Sequence, residues 1–169
     1  MKYWVWIILL LPGAAQCAQR RKLEGYVMDR SAFRNIQSYC VDTHNLPPDQ
    51  IRVIDHFVRR ESKPQGLLSK LPWHRRATCQ DASLEAVVRM EFPRDQASSV
   101  EDEVEGVLLV FRPGSPSPIY ETPAVSLPGE PRRNPAEDDE FAVKLVSGVL
   151  EYSVLSSVVR ILIHDWQKQ

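Results

Sequence analysis

Cys40 and Cys79 are the two thiols well inside this chain, and a basic run carrying Trp73 lies between them. A dithiol redox site normally shows a C-x-x-C spacing, which is absent. Cys40 and His44 are four residues apart, as zinc ligands can be, but no second ligand pair accompanies them. In an oxidising compartment the plain expectation is a Cys40–Cys79 disulfide. Closing a loop of about 40 residues would stabilise the fold by about 4 kcal/mol on the chain-entropy account. A reactive thiol and a metal ligand are the competing readings. The four histidines, His44, His56, His74 and His164, are isolated in sequence. There is no G-x-S-x-G elbow, P-loop, G-x-G-x-x-G, H-E-x-x-H or calcium loop. A hydrolytic site would have to be assembled by folding, from Asp42, His44 or His74. No catalytic residue, metal or cofactor is assigned.

The sharpest surface signal is charge around a ring. Arg59, Arg60 and Lys63 close one amphipathic segment, and Lys70, His74, Arg75 and Arg76 flank Trp73. An indole ringed by cations suits a polyanion, an acidic protein or a phospholipid head group. The bland reading is that Trp73 caps the core while the charges are solvated, with Arg59 and Arg60 favoured at a helix C-terminus. The expected patch comprises Arg59, Arg60, Lys70, Trp73, His74, Arg75 and Arg76.

The compartment is set by the opening residues MKYWVWIILLLPGAAQCAQRRK. Lys2 gives a short positive start, Tyr3 to Leu11 is an unbroken apolar run, and Pro12 and Gly13 precede the small residues Ala14 and Ala15. That is the layout of a secretory signal. The apolar run is about half of the ~20 residues a span needs. Cleavage fits after Ala15, Cys17 or Ala18, so residues 1–18 are assigned to the signal and the mature chain is expected to be periplasmic or extracellular. A buried N-terminal helix or strand is a second reading, in which Trp4 and Trp6 could serve a core, but no polar face accompanies them; a lipid-anchored Cys17 is a third, disfavoured by Gln16, where a small residue is usual.

What remains is about 150 residues, enough for one domain with a real core. The formal charge of −1, from 21 basic and 22 acidic side chains, gives no global field for nucleic acid, and none is expected as a partner. Residues 19–36 show no clear pattern. Residues 37–43 read as a short strand. Pro47, Pro48 and Asp49 open a helix over about 48–61, with Ile51, Ile54, Phe57 and Val58 on one face. Residues 74–78 are a weaker strand candidate. EAVVRMEF at 85–92 alternates, and residues 104–111 form its neighbour. IYETPAVSL returns, and Pro123 within it predicts an edge or broken strand. Seven of the thirteen prolines fall in 113–135, which therefore reads as loop.

Asn134, Pro135 and Glu137 then start the longest element. Phe141, Leu145, Val149, Tyr152, Leu155, Val159, Leu162 and Trp166 make one helical stripe, with Lys144, Ser147, Glu151, Ser156 and Arg160 outside it. The β-branched run Val158–Ile163 leaves a terminal strand open. Lys144, Glu151 and Arg160 argue against a membrane span.

The expected fold is α+β: a mostly antiparallel sheet of four to five strands, with the amphipathic helix and the long C-terminal helix packed on one face. The β-α-β start allows one parallel pair. Residues 37–169 form the single domain. The stretches YCVD, LPPDQIRVIDHFVRRE, LPWHRRATC and EAVVRMEF loosely resemble small exported bacterial proteins of uncharacterised function. The resemblance covers most of 37–166 and transfers no functional residue. The favoured function is a non-catalytic envelope protein that binds a protein or polyanionic partner. A small exported hydrolase would be favoured by a deep cleft that brings two of Asp42, His44 and His74 within hydrogen-bond reach. An apolar-ligand carrier would need a large cavity between sheet and helix.

Overall fold

The computed structural model describes residues 25–92, 104–127 and 140–169, with side chains in the last segment from residue 149 onward. Residues 1–18, read above as a signal that includes Cys17, the basic residues after them, the Asn134–Pro135 helix start, and the side chains at the stripe positions Phe141 and Leu145 lie outside this description. So does the latter part of the proline-rich loop.

Seven strands form one mixed sheet among the described residues: β1 (Tyr26–Val27), β2 (Ser38–Asp42), β3 (His74–Arg75), β4 (Ala86–Glu91), β5 (Val104–Phe111), β6 (Pro118–Glu121) and β7 (Val125–Leu127). Their order is β1-β6-β5-β4-β2-β3, and β7 pairs with β5 beyond β6. Four pairings are antiparallel, while β2 runs parallel to both β3 and β4. The α+β class is therefore as expected. The strand count is higher because β1, two residues long, leaves no periodic signal, and because the returning strand is split into β6 and β7.

Two helices, α2 (Pro48–Glu61) and α3 (Glu140–Gln167), touch each other and lie over one face; a single turn, α1 (Arg30–Arg34), precedes β2. Alternation explains which face. Val41, Val88, Val110 and Tyr120 are cross-strand neighbours in one row, and Tyr39–Ala86 and Met90–Leu108 are the rows beside it. All of these are buried except the half-buried Val41. They meet Ile54, Phe57 and Val58 of α2, and Val154, Leu155, Val158, Val159 and Leu162 of α3, in one core. The opposite face carries Asp42, Arg89, Leu109, Glu121 and Tyr26 along one row.

Local chemistry fixes the elements. Pro48 sits at the first helical position of α2, where a missing N–H costs nothing, and Asp49 lies at the positive end. Asp29 caps α1 by accepting from the Ala32 N–H at 2.9 Å and also takes Arg112 Nη2 at 2.6 Å. These bonds lower its carboxyl pKa, the Ala32 amide contributing most. That one turn buries Phe33 completely.

Pro123 breaks the returning strand into β6 and β7. At the break the Thr122 hydroxyl accepts the Leu108 N–H at 2.9 Å, and the Thr122 N–H reaches the Leu108 carbonyl at 2.9 Å. The ladder to β5 thus survives the proline. Its β6 half is not an edge, because β1 covers it.

α3 is one helix to Gln167, so the terminal strand reading does not hold. The β-branched residues are kept helical by burial, which outweighs their weak intrinsic preference. Its buried side also differs from the stripe read in sequence. Val154 and Val158 are fully buried, Glu151 lies inside at 8% exposure, and Val149 is 59% exposed. No helix among the described residues is long and apolar enough to cross a membrane.

Candidate functional site

The basic residues line the path from α2 to the sheet edge. Between residues 59 and 76 the chain has six Lys and Arg against the single acid Glu61, a net of +5 in a chain whose total is −1. Arg59 and Arg60 end α2, and Lys70 closes a 3₁₀ turn (Leu68–Lys70) that touches this helix. His74 and Arg75 are β3, the outermost strand, and Arg76 follows. Every one of these side chains is exposed. Arg60 lies 4.0 Å from Glu61 and 5.4 Å from the Tyr152 ring centroid, and Arg76 is 3.7 Å from Asp81.

Trp73 does not present its ring to solvent. It is 5% exposed and sits edge-on to Phe33, Tyr39 and Trp166, with centroids at 6.0, 5.9 and 5.3 Å. Its indole N–H has no hydrogen-bond partner among the described residues. The burial around it also raises the Tyr39 phenol. What reaches solvent is therefore a basic edge anchored by a buried indole. The sequence shows the cations but not the ring's orientation, since Phe33, Tyr39 and Trp166 come from three distant segments.

The edge is held by few bonds. The His74 N–H donates to the Gln37 carbonyl at 2.6 Å and the Arg76 N–H to the Tyr39 carbonyl at 2.7 Å. Three residues on, Cys79 is bonded to Cys40, on the same strand β2, with Cα atoms 5.3 Å apart. The disulfide expected from the sequence is thus present. Its Cys40 end is 1% exposed, while Cys79 is exposed.

A second constellation forms where the parallel strands β2 and β4 end. Asp42, His44, Asn45, Arg89 and Glu91 line a cavity of about 180 Å³. Asp42 uses both oxygens there, one for the His44 backbone N–H at 2.9 Å and one for Arg89 Nε at 2.8 Å. Arg89 also stacks over Phe111, 4.9 Å from its centroid. Asn45 holds a positive φ of 68° in the turn that leaves β2. Residues 47 apart in sequence meet here because β2 and β4 pair, a contact no local pattern encodes. The cavity is smaller than the ~300 Å³ at which ligand clefts begin. His74 is not part of it: it pairs with Ser38, four residues back along β2 from Asp42. No group of three or more His, Cys, Asp or Glu among the described residues is placed to hold a metal.

Of the remaining histidines, His56 shares the Tyr152 ring with Arg60, and His164 lies apart from both places. His56 is exposed on α2, edge-on to Tyr152. His164 Nδ1 lies 3.4 Å from Asp165. Asp165 itself is 4% exposed and accepts the Tyr120 hydroxyl at 2.9 Å and the Gly25 N–H at 2.7 Å. Burial first, and then this carboxylate, raise the Tyr120 phenol.

In architecture the chain is similar to PelC from Paraburkholderia phytofirmans. The likeness to the PelC dodecamer structure has a TM-score of 0.40 at 13% identity, over 80% of this chain and 92% of that one. A single-substitution variant of the same dodecamer gives 0.38 at 14% identity, over 74% and 87%. No family model matches the sequence, and no curated protein matches it. No residue role is carried across from PelC at this identity.

Proposed function

We propose that this is an exported, non-catalytic protein that binds a polyanionic partner along the basic edge running from Arg59 to Arg76. The observation that carries the proposal is the +5 run of exposed cations in a chain whose total is −1. Local fields of this kind draw in anions even when net charge is near zero. Part of the edge, Arg75 and Arg76, is tied to β2 beside a disulfide, so those charges are held in place before a partner arrives. Pre-organisation of this sort lowers the ordering cost of binding.

Export is supported by the signal-like residues 1–18 and by a disulfide, which persists in oxidising compartments. The hydrolase reading asked for two of Asp42, His44 and His74 within hydrogen-bond reach in a deep cleft. His74 lies away from the other two, and the bond between Asp42 and His44 uses the backbone amide rather than the ring. The carrier reading asked for space between sheet and helices. Leu108, Val110, Leu155 and Val158 occupy it, each at 1% exposure or less.

The test is retention of the mature protein on immobilised heparin or polyphosphate, with Arg75→Glu/Arg76→Glu alongside. Wild type should be retained at low salt and released as salt rises, because Debye screening shortens the reach of exposed charges to about 8 Å at 0.15 M. The double variant should bind about tenfold more weakly or worse. Retention no better than on an uncharged matrix, or equal retention of the variant, would sink the proposal. Recovery of an acidic protein with no affinity for either polymer would point to a protein partner instead.

A further inference from the structure

We infer that Cys79 is a thiol-exchange site, and that exchange there releases the basic edge strand. The two sulfurs differ in access: Cys40 is 1% exposed on the outer face of the sheet, whereas Cys79 is exposed on a surface turn. An incoming thiolate therefore meets Cys79 first, and access is one determinant of which sulfur is attacked. Arg75 and Arg76, four and three residues before it, add an electropositive approach for an anionic nucleophile.

Whether exchange frees the segment depends on the other bonds that hold it. From His74 to Ser83 every side chain is exposed apart from the half-buried Asp81. The nearest core anchors are Trp73 at one end and Leu84 at the other, at 5% and 7% exposure. Between them β3 contributes two residues of parallel pairing at the sheet edge. Asp81 is tied to Ser83, and the Ser83 carbonyl to the Ser38 hydroxyl at 3.0 Å, but these bonds lie at the Leu84 end. The disulfide is the one covalent tie within the span. Without it, two residues of parallel ladder and the exposed Arg76–Asp81 pair at 3.7 Å must hold the loop; an exposed ion pair adds little, and so short an edge is marginal.

The reductant is a small thiol or a dithiol oxidoreductase. Its thiolate bonds to Sγ of Cys79, the Cys40–Cys79 bond breaks, and the electron pair leaves on Sγ of Cys40, which takes up a proton. A second thiolate attacks the reductant's sulfur in the mixed disulfide. Cys79 leaves as a thiol and the reductant leaves as a disulfide. The core beneath, with Trp73 clasped by Phe33, Tyr39 and Trp166, stays folded. The consequence for binding rests on the polyanion proposal: a released edge no longer presents Arg75 and Arg76 in fixed positions.

The experiment uses the exported mature protein with glutathione as the probe. Peptide mapping after a brief exposure should find glutathione on Cys79. Trypsin should then cut after Arg75 or Arg76 about tenfold faster in the reduced protein than in the oxidised one. Near-ultraviolet dichroism from the tryptophan cluster should persist. Glutathione on Cys40, unchanged cleavage, or loss of the tryptophan signal would each overturn local release at Cys79. Heparin affinity, read on the same samples, separates the two proposals. Binding by the oxidised protein that falls about tenfold on reduction supports both. Equal binding by both forms overturns the link between exchange and binding. No binding by the oxidised form overturns the polyanion reading and that link, while the mapping and cleavage results still decide release at Cys79.

Discussion

Gly106 has no room for a side chain. A Cβ there would overlap a methyl of Val154, where α3 lies directly on β5. Gly106→Ala should therefore cost about 1–3 kcal/mol through overpacking. Val154→Ala should relieve part of that cost, so the double mutant should be more stable than the sum of the single changes implies. Urea denaturation of the four proteins checks this, and strict additivity would contradict the packing account.

A second residue-scale pair clamps the two helices. The Tyr152 hydroxyl donates to Glu61, whose other oxygen accepts the Leu67 N–H at 2.7 Å. The Tyr152 bond, with the Leu67 amide behind it, holds the Glu61 carboxyl below its ordinary value of 4.5. The stabilisation is then fully present above the unfolded value and is lost as pH falls through the lowered native one. Tyr152→Phe should cost about 1 kcal/mol at pH 7, and the gap should narrow as the medium is acidified below pH 4.5. A gap that stays constant with pH would mean that the bond is not the source. Burial and Glu61 push the Tyr152 phenol up to about 12, so the clamp should hold on the alkaline side until pH rises through that value.

At the scale of elements, β1 is the least self-sufficient piece. Two residues cannot hold a strand, and Asp165 reaches from the last turns of α3 to fix the Gly25 amide and Tyr120 together. Asp165→Ala leaves both donors without this acceptor, at about 1–3 kcal/mol for a buried one. Amide exchange should rise most over Gly25–Met28; a uniform rise across the sheet would contradict a local role. This element also shows where sequence reading stops. α2 and β4 are legible because each buries one face and carries the matching period. The break at Pro123 is legible because proline cannot donate to a ladder. β1 is not, since two residues show no period. The sequence stripe misplaces the buried side of α3 because this helix packs on both sheet and α2. Apolar residues occur nearly all round it, and buried Glu151 carries no marker in sequence.

For the whole molecule, the candidate site is half legible in sequence. The charge run from Arg59 to Arg76 is a linear fact of the chain, and the Cys40–Cys79 pairing is the plain expectation for two interior thiols in an oxidising compartment. The burial of Trp73 depends on Phe33, Tyr39 and Trp166 meeting around it, and the contact of Asp42 with Arg89 on the β2–β4 register; no periodicity encodes either. The described residues form a helix-covered face, an opposite face crossed by the Asp42–Arg89 pair, and a basic edge beside a disulfide.

The proposed export and the covalent tie behind that edge can be read together, from the N-terminus and the sulfurs of the purified protein. The mature protein should be alkylated in denaturant without reductant, digested and weighed. Cys40 and Cys79 should emerge as one cross-linked peptide pair, with the new N-terminus falling between Gln16 and Gln19. Alkylated Cys40 and Cys79, or an intact Met1, would contradict it.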